Sequence, residues 1–250
     1  MKILLFLLIL GASGATAADI FKRISEDKSC KGKMKHHVAL CTAPCKNFLV
    51  SCGGTLITKS WVLTAAHCKE DLDVKRFALI PADADLSKGG DMIEITNIFH
   101  PGFEHKTFEN DIMLLKLKTP ANIDIEVSLP SKADCKNLAK EKQCLLAGWG
   151  RYTFISQKGK PVDPPHNLGC LDLKTSNCEA YKDNKMKPVE DNLCVEGEDS
   201  GVHHGDSGGG LICEKKIYGV VSRGEVPPSK DPIYFTSVCS HLDWIKTMIK

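Results

Sequence analysis

Short apolar runs broken by turn residues recur along most of the chain: "HVAL" (37–40), "FLVSCGGTLI" (48–57), "WVLTA" (61–65), "MIEITNI" (92–98), "DIMLLKL" (111–117), "CLLAGWG" (144–150), "GLICEKKIYGVVS" (210–222) and "IYFTSV" (233–238). Runs this short, rich in Val, Ile, Leu and Thr, predict strands at the spacing of an all-β sandwich or barrel. One segment has a different period. In "SHLDWIKTMIK" (240–250), Leu242, Ile245 and Ile249 fall on one helical face, and Ser240 with Asp243 has the spacing of a capping box, so a C-terminal helix is expected. The Pro-rich stretches "GKPVDPPHN" (159–167) and "EVPPSKDP" (225–232) predict surface loops. No internal repeat interrupts this organisation.

The first residues follow a separate logic. Met1-Lys2 is a basic start, "ILLFLLIL" (3–10) is apolar, and "GASGATA" (11–17) supplies small residues, which together predict a secretory signal cut after Ala17. The run falls short of the roughly 18–20 apolar residues of a membrane span. No later stretch approaches that length, so a soluble mature protein is expected.

Twelve cysteines in such a chain point to disulfides rather than metal ligands or free thiols. There are 33 basic and 31 acidic residues, and removing Lys2, Lys22, Arg23 and Asp19 with residues 1–23 balances the two. That balance gives no reason to expect nucleic acid as a partner. The basic run "KGKMKHH" (31–37) is expected to be a solvated surface. The segment "ADIFKR" (18–23), followed by Ile24, has the form of a short activation peptide. On this stretch alone an ordinary exposed N-terminus fits equally well.

Three stretches carry candidate chemistry. "WVLTAAHC" puts His67 at the end of an apolar run, "NDIMLLKL" puts Asp111 at the start of another, and "GDSGG" puts Ser207 in a glycine-rich turn. A hydroxyl is a weak nucleophile unless a base takes its proton, and that base works best when a carboxylate fixes its tautomer. Glycines let backbone N–H groups approach a developing oxyanion. Each residue alone has an ordinary structural use. Their joint occurrence in a cysteine-rich β chain with a secretory signal points to catalysis.

With "CGGTLI", "HPGF", "CLLAGWG" and the terminal "DWI" in the same order, residues 24–250 resemble the trypsin-like serine proteases of the chymotrypsin fold. The resemblance implies two antiparallel six-stranded β-barrels packed together with a C-terminal α-helix. Barrel 1 would cover about 24–130, barrel 2 about 131–237 and the helix about 238–250. It makes Ser207 the nucleophile, His67 the general base and then acid, and Asp111 the residue that orients His67. The amides of Gly205 and Ser207 would form the oxyanion hole. Cleavage after Arg23 would free the ammonium of Ile24 to pair with Asp206, although "SED" (25–27) departs from the usual Val-Gly-Gly. The same resemblance implies the pairs Cys52–Cys68, Cys144–Cys213, Cys178–Cys194, Cys135–Cys239 and Cys30–Cys170, the last as in trypsins, kallikreins and snake-venom proteases. Cys41 and Cys45 remain as an additional local pair.

The specificity pocket departs from the tryptic pattern. By the resemblance it is lined by Gly201, Val202, Ser222, Arg223, Gly224 and Ile233. Gly201 stands where trypsins have an aspartate, His203 where a bracing cysteine is usual, and Ile233 where a glycine leaves the pocket open. An unpaired cation buried there would be costly, so small or medium apolar residues are expected before the cleaved bond. Two alternatives stay open. His203, His204 and Arg223 could attract an acidic residue at the rim, or a shifted register could put Asp199 at the base. With Gly201 in place, self-activation after Arg23 is disfavoured and a separate trypsin-like protease is expected to act.

The expected function is therefore that of a secreted serine endopeptidase made as a zymogen, monomeric and of narrow specificity. Its expected partners are protein or peptide substrates, the activating protease and protein inhibitors, with no nucleic acid or membrane. The alternative is an inactive homologue that binds a partner, suggested by the odd activation sequence and the plugged pocket. No metal or cofactor is implied, since Asp83, Asp85 and Asp91 come without the glutamate pair that trypsins use for calcium. There is no Asn-x-Ser/Thr sequon.

Overall fold

Two adjacent positions on one strand feed different cores in this protein. A computed structural model describes residues 30, 33–42, 50–70, 72, 76–81, 85–138, 141–150, 154–155, 161–162, 166–196, 202–203, 205–225 and 231–250. The strands β1 (His37–Thr42), β2 (Cys52–Thr58), β3 (Trp61–Thr64), β4 (Arg76–Pro81), β5 (Gly90–Phe99) and β6 (Met113–Leu117) close a first barrel in the order β1-β2-β3-β6-β5-β4. A second closed barrel contains β7 (Gln143–Gly148), β10 (Gly169–Ser176), β11 (Asn192–Val195), β12 (Gly210–Cys213), β13 (Lys216–Arg223) and β14 (Ile233–Ser237). Its order is β10-β11-β14-β13-β12-β7, and the pairings in both barrels are antiparallel. Between β7 and β10, the short strands β8 (Phe154–Ile155) and β9 (Pro161–Val162) pair with each other. The all-β expectation, with one terminal helix, is met.

The continuous apolar runs of β7, β12 and β13 follow from this arrangement. Successive side chains on a strand point to opposite faces. Leu146, Leu211 and Val221 pack with Leu171, Val195 and Phe235 in one cluster. Their neighbours Ala147, Ile212 and Val220 join the cluster that includes Val38, Leu56 and Leu114 of the first barrel. These strands are buried on both faces, so alternation vanishes from their sequence. Each of the Leu, Ile, Val and Phe side chains among them contributes roughly 1.5–3 kcal/mol on burial.

Five disulfides match the expected pairs: Cys30–Cys170, Cys52–Cys68, Cys135–Cys239, Cys144–Cys213 and Cys178–Cys194. Cys41 is also disulfide-bonded, and its expected partner Cys45 lies outside the described residues.

Three details correct the sequence reading. The terminal helix α2 (Leu242–Met248) buries Leu242 and Ile245 as expected, but its N-cap is His241 and no side chain caps it. Ser240 belongs instead to a turn in which the His241 amide donates to Val238 O. A second helix, α1 (Lys132–Lys136), carries a complete capping box between Ser131 and Asp134. The spacing "SKAD" was its signal. The basic run 31–37 is only partly solvated: Lys33 and Lys35 are exposed, but Met34, His36 and His37 are buried.

Candidate active site

His67 lies on a 3-10 turn, Ala66–Lys69, immediately after β3. The Cys52–Cys68 bridge ties that turn to β2. Asp111 enters from the other side, just ahead of β6, after Phe108 and Asn110 take left-handed φ values of 64° and 57°. The Asp111 carboxylate is fully buried and accepts three hydrogen bonds. The His67 amide donates to Oδ1 at 2.8 Å, His67 Nδ1 to Oδ2 at 2.8 Å, and Ser222 Oγ to Oδ2 at 2.6 Å. A carboxylate at Nδ1 fixes the proton there, which leaves Nε2 with a lone pair able to accept a proton.

Ser207 sits on the loop from His203 to β12, pinned from both barrels. Its carbonyl accepts from the Gly53 amide at 2.7 Å, while the Gly208 amide donates to Val221 O at 2.8 Å. Gly208 has φ +80°, and a Cβ there would lie 2.1 Å from Thr64 Oγ1 and 2.5 Å from Gly53 O. Only glycine allows this turn to press so closely on β2 and β3. Among the described residues no hydrogen bond joins Ser207 Oγ to His67 Nε2, and neither the Gly205 nor the Ser207 amide donates one. Gly205 is buried with φ 97°. Donors left unused in this way are available to an incoming oxygen.

Asp206 points the opposite way, into the interior. Its Oδ1 accepts from the Gly150 amide and its Oδ2 from the His203 amide, both at 2.9 Å. Full burial pushes its pKa from 3.8 up to about 7, against the pull of those two amides. A Cβ on Gly148 would lie 2.0 Å from Asp206 Oδ1, so the carboxylate fills the space that glycine leaves. A carboxylate has about four acceptor sites, so two remain for a further donor. Arg23 and Ile24 lie outside the described residues.

Of the expected pocket, Val202 and Ile233 are 6% and 1% exposed and belong to the second barrel's core with Val221 and Phe235. A Cβ on Gly224 would lie 2.9 Å from Val202 Cγ2 and 3.7 Å from Ile233 Cγ2, so these three converge on one point. Gly201, His204 and Asp199 lie outside the described residues. The Ser222 hydroxyl donates to Asp111 Oδ2 at 2.6 Å. Arg223 Nη2 donates to Lys187 O at 2.8 Å and Asn192 Oδ1 at 2.9 Å. Its guanidinium lies 4.9 Å from the Tyr234 ring and 5.7 Å from the Phe108 ring. Nothing in the order of residues announced the Ser222–Asp111 contact, which joins β13 of the second barrel to the segment just ahead of β6 in the first.

Cys52, His67 and Cys68 form the one cluster of potential metal ligands among the described residues. The two sulfurs are bonded to each other, so no thiolate is available to hold a metal. Among the described residues no helix is long and apolar enough to cross a membrane.

Comparison with known proteins agrees with this geometry. The chain matches the family described as Trypsin over residues 31–245. It is 34% identical to Trypsin-4 of Rattus norvegicus, over 98% of this chain and 98% of that protein. It is 31% identical to Kallikrein-8 of Homo sapiens, over 99% and 95%, and 32% identical to Kallikrein-7 of Homo sapiens, over 100% and 96%. With two six-stranded barrels around the His67–Asp111 pair, the chain belongs to the trypsin family of serine proteases.

Proposed function

We propose that this protein is a secreted serine endopeptidase, made as a zymogen, that cleaves after small or medium apolar residues. The observation that carries the reading is the alignment of His67 by Asp111 beside two unbonded amides, Gly205 and Ser207. In this mechanism Ser207 Oγ attacks the substrate carbonyl while His67 Nε2 takes its proton. The negative charge that appears on the carbonyl oxygen is met by the Gly205 and Ser207 amides. One such donor is worth about 10²–10³ in kcat. The imidazolium then returns its proton to the leaving amine, and water repeats the sequence on the acyl-enzyme. Asp111 stays ionised and stabilises the imidazolium. Loss of such a carboxylate's charge lowers kcat by about 10⁴.

Activation follows from Asp206. Cutting after Arg23 creates an ammonium at Ile24, and a buried carboxyl held near neutrality by desolvation would ionise fully beside it. Val202 and Ile233, converging on Gly224, support a shallow uncharged pocket. A separate trypsin-like protease would make the cut.

A second reading, a non-catalytic homologue that binds a partner, draws on the same convergence and on the missing Ser207–His67 hydrogen bond. A fluorophosphonate probe decides between them. Trypsin-treated protein should be labelled and the Ser207→Ala variant should not. Absence of labelling after verified cleavage at Arg23 would establish the binding reading.

A further inference from the structure

A cavity of about 460 Å³ lies beside the His67–Asp111 pair, with Lys106, Phe108, Lys185, Met186, Lys187 and Arg223 in its lining. Phe108 connects it to the site. The Phe108 ring lies 6.1 Å from the His67 ring on one side and 5.7 Å from the Arg223 guanidinium on the other. Three lysines and one arginine thus line one hollow, and no aspartate or glutamate among the described residues lines it. None of the three lysine ammonium groups has an ion-pair partner among the described residues. Arg223 is fixed by Lys187 O and Asn192 Oδ1, while its Nε is buried with no hydrogen-bond partner among the described residues. Its burial disfavours the charged form, and an anion in the hollow would offset that cost.

We propose that this cavity binds an acidic side chain of the polypeptide substrate, a few residues from the cleaved bond on the acyl side. The inference rests on the peptidase reading and assigns that site its substrate class. Arg223 is the last residue of β13 and Gly224 follows it directly, so the hollow and the pocket at Gly224 adjoin the same strand end. Passing from His67 over Phe108 to Arg223 takes roughly three to four residues of extended chain, at about 3.3 Å each. The hollow is small by the standard of ligand pockets, about 300–1,000 Å³, which fits one or two side chains. Its apolar lining, which includes Phe108 and Met186, suits the methylene stem of a glutamate. A sulfated glycan would need a longer basic track and has no use for that lining.

Binding is measured on the full chain carrying Ser207→Ala, cut after Arg23 by trypsin, so that turnover does not intervene. The probes are a fluorescein-labelled octapeptide, Ala-Ala-Glu-Glu-Ala-Val-Ala-Ala, and its counterpart with Gln-Gln in place of Glu-Glu. At low salt the acidic probe should bind about tenfold more tightly, a difference of about 1.4 kcal/mol. Raising the salt should shrink that preference. The double variant Lys185→Gln/Lys187→Gln should abolish it, and Lys246→Gln/Lys250→Gln on the C-terminal segment should preserve it. Equal affinity for the two probes overturns the proposal, as does equal loss in both double variants. Tighter binding of a heparin octasaccharide, lost in Lys185→Gln/Lys187→Gln, would make this a glycan site and also overturn it. Fluorophosphonate labelling of the Ser207 protein fails or succeeds independently of these affinities, so the two readings are tested apart.

Discussion

Ser222 donates its hydroxyl to Asp111 Oδ2 at 2.6 Å, on the same oxygen that receives His67 Nδ1 at 2.8 Å. Both Asp111 and Ser222 are buried, at 0% and 4% exposure. The aspartate is thus held by a strand of the second barrel while it orients a histidine of the first. A hydrogen bond to a charged group contributes about 1.5–3 kcal/mol, and His67 would share that loss when Asp111 is less firmly held. Ser222→Ala is expected to lower kcat on a peptide substrate about tenfold with KM nearly unchanged. An unaltered kcat would show that the two His67 donors alone fix the carboxylate.

The buried carboxyl of Asp206 makes stability depend on pH in a direction unusual for an aspartate. Its folded pKa is raised to about 7 from an ordinary 3.8. The folded chain therefore holds a proton that the unfolded chain has lost across that interval. Stability contributed by this group falls as pH rises from about 4 to 7 and is level above. Uncleaved Ser207→Ala protein is expected to lose melting temperature over that window relative to its Asp206→Asn derivative. Cleavage after Arg23 should remove the difference, because the Ile24 ammonium favours the ionised form. A parallel pH profile for the two uncleaved proteins would refute the assignment.

Two histidines act in the opposite sense. His36 is pushed down to about 4 and His37 to about 3, chiefly by burial. The His37 ring lies 5.0 Å from the Trp149 ring, and neither of its nitrogens has a hydrogen-bond partner among the described residues. The unfolded chain takes up protons near pH 6.5 that the folded chain refuses, so their contribution is full above 6.5 and is lost as pH falls toward 4 and 3. His37→Gln should soften the loss of melting temperature between pH 6.5 and 4, measured on an Asp206→Asn background to remove the opposing trend. An equally steep loss in the variant would count against His37 as a source.

How far the sequence could be followed depended on the kind of signal. Strand runs such as "DIMLLKL" are local, and the five observed pairs of cysteines were implied by family resemblance together with His67, Asp111 and Ser207. The direction in which Arg223 points was not legible. It is set by Asn192 on β11 and by the Lys187 carbonyl, both more than thirty residues away in sequence. The burial of His36 and His37 was concealed for a similar reason. A polar-looking run enters β1, where His37 pairs with Thr55 and faces Trp149 of the second barrel. The Ser240–Asp243 capping box failed because Cys239, bonded to Cys135, belongs to a turn that places the helix start at His241.

Ile233 supplies the sharpest test of the pocket. Its side chain is 1% exposed, lies among Val202, Val221 and Phe235, and approaches the point where a Gly224 side chain would begin. Ile233→Ala removes that obstruction and also leaves a cavity in the second barrel's core. The stability cost should be about 2–5 kcal/mol, read by urea unfolding. If the pocket is the one proposed, the ratio of kcat/KM for Phe against Ala before the cleaved bond should rise about tenfold. That gain corresponds to roughly 1.4 kcal/mol of new apolar contact. The two effects separate cleanly, because lost stability lowers the yield of folded enzyme for both substrates equally and leaves their ratio untouched. A variant that is destabilised with an unchanged ratio would show that Ile233 is core alone and that specificity is set elsewhere.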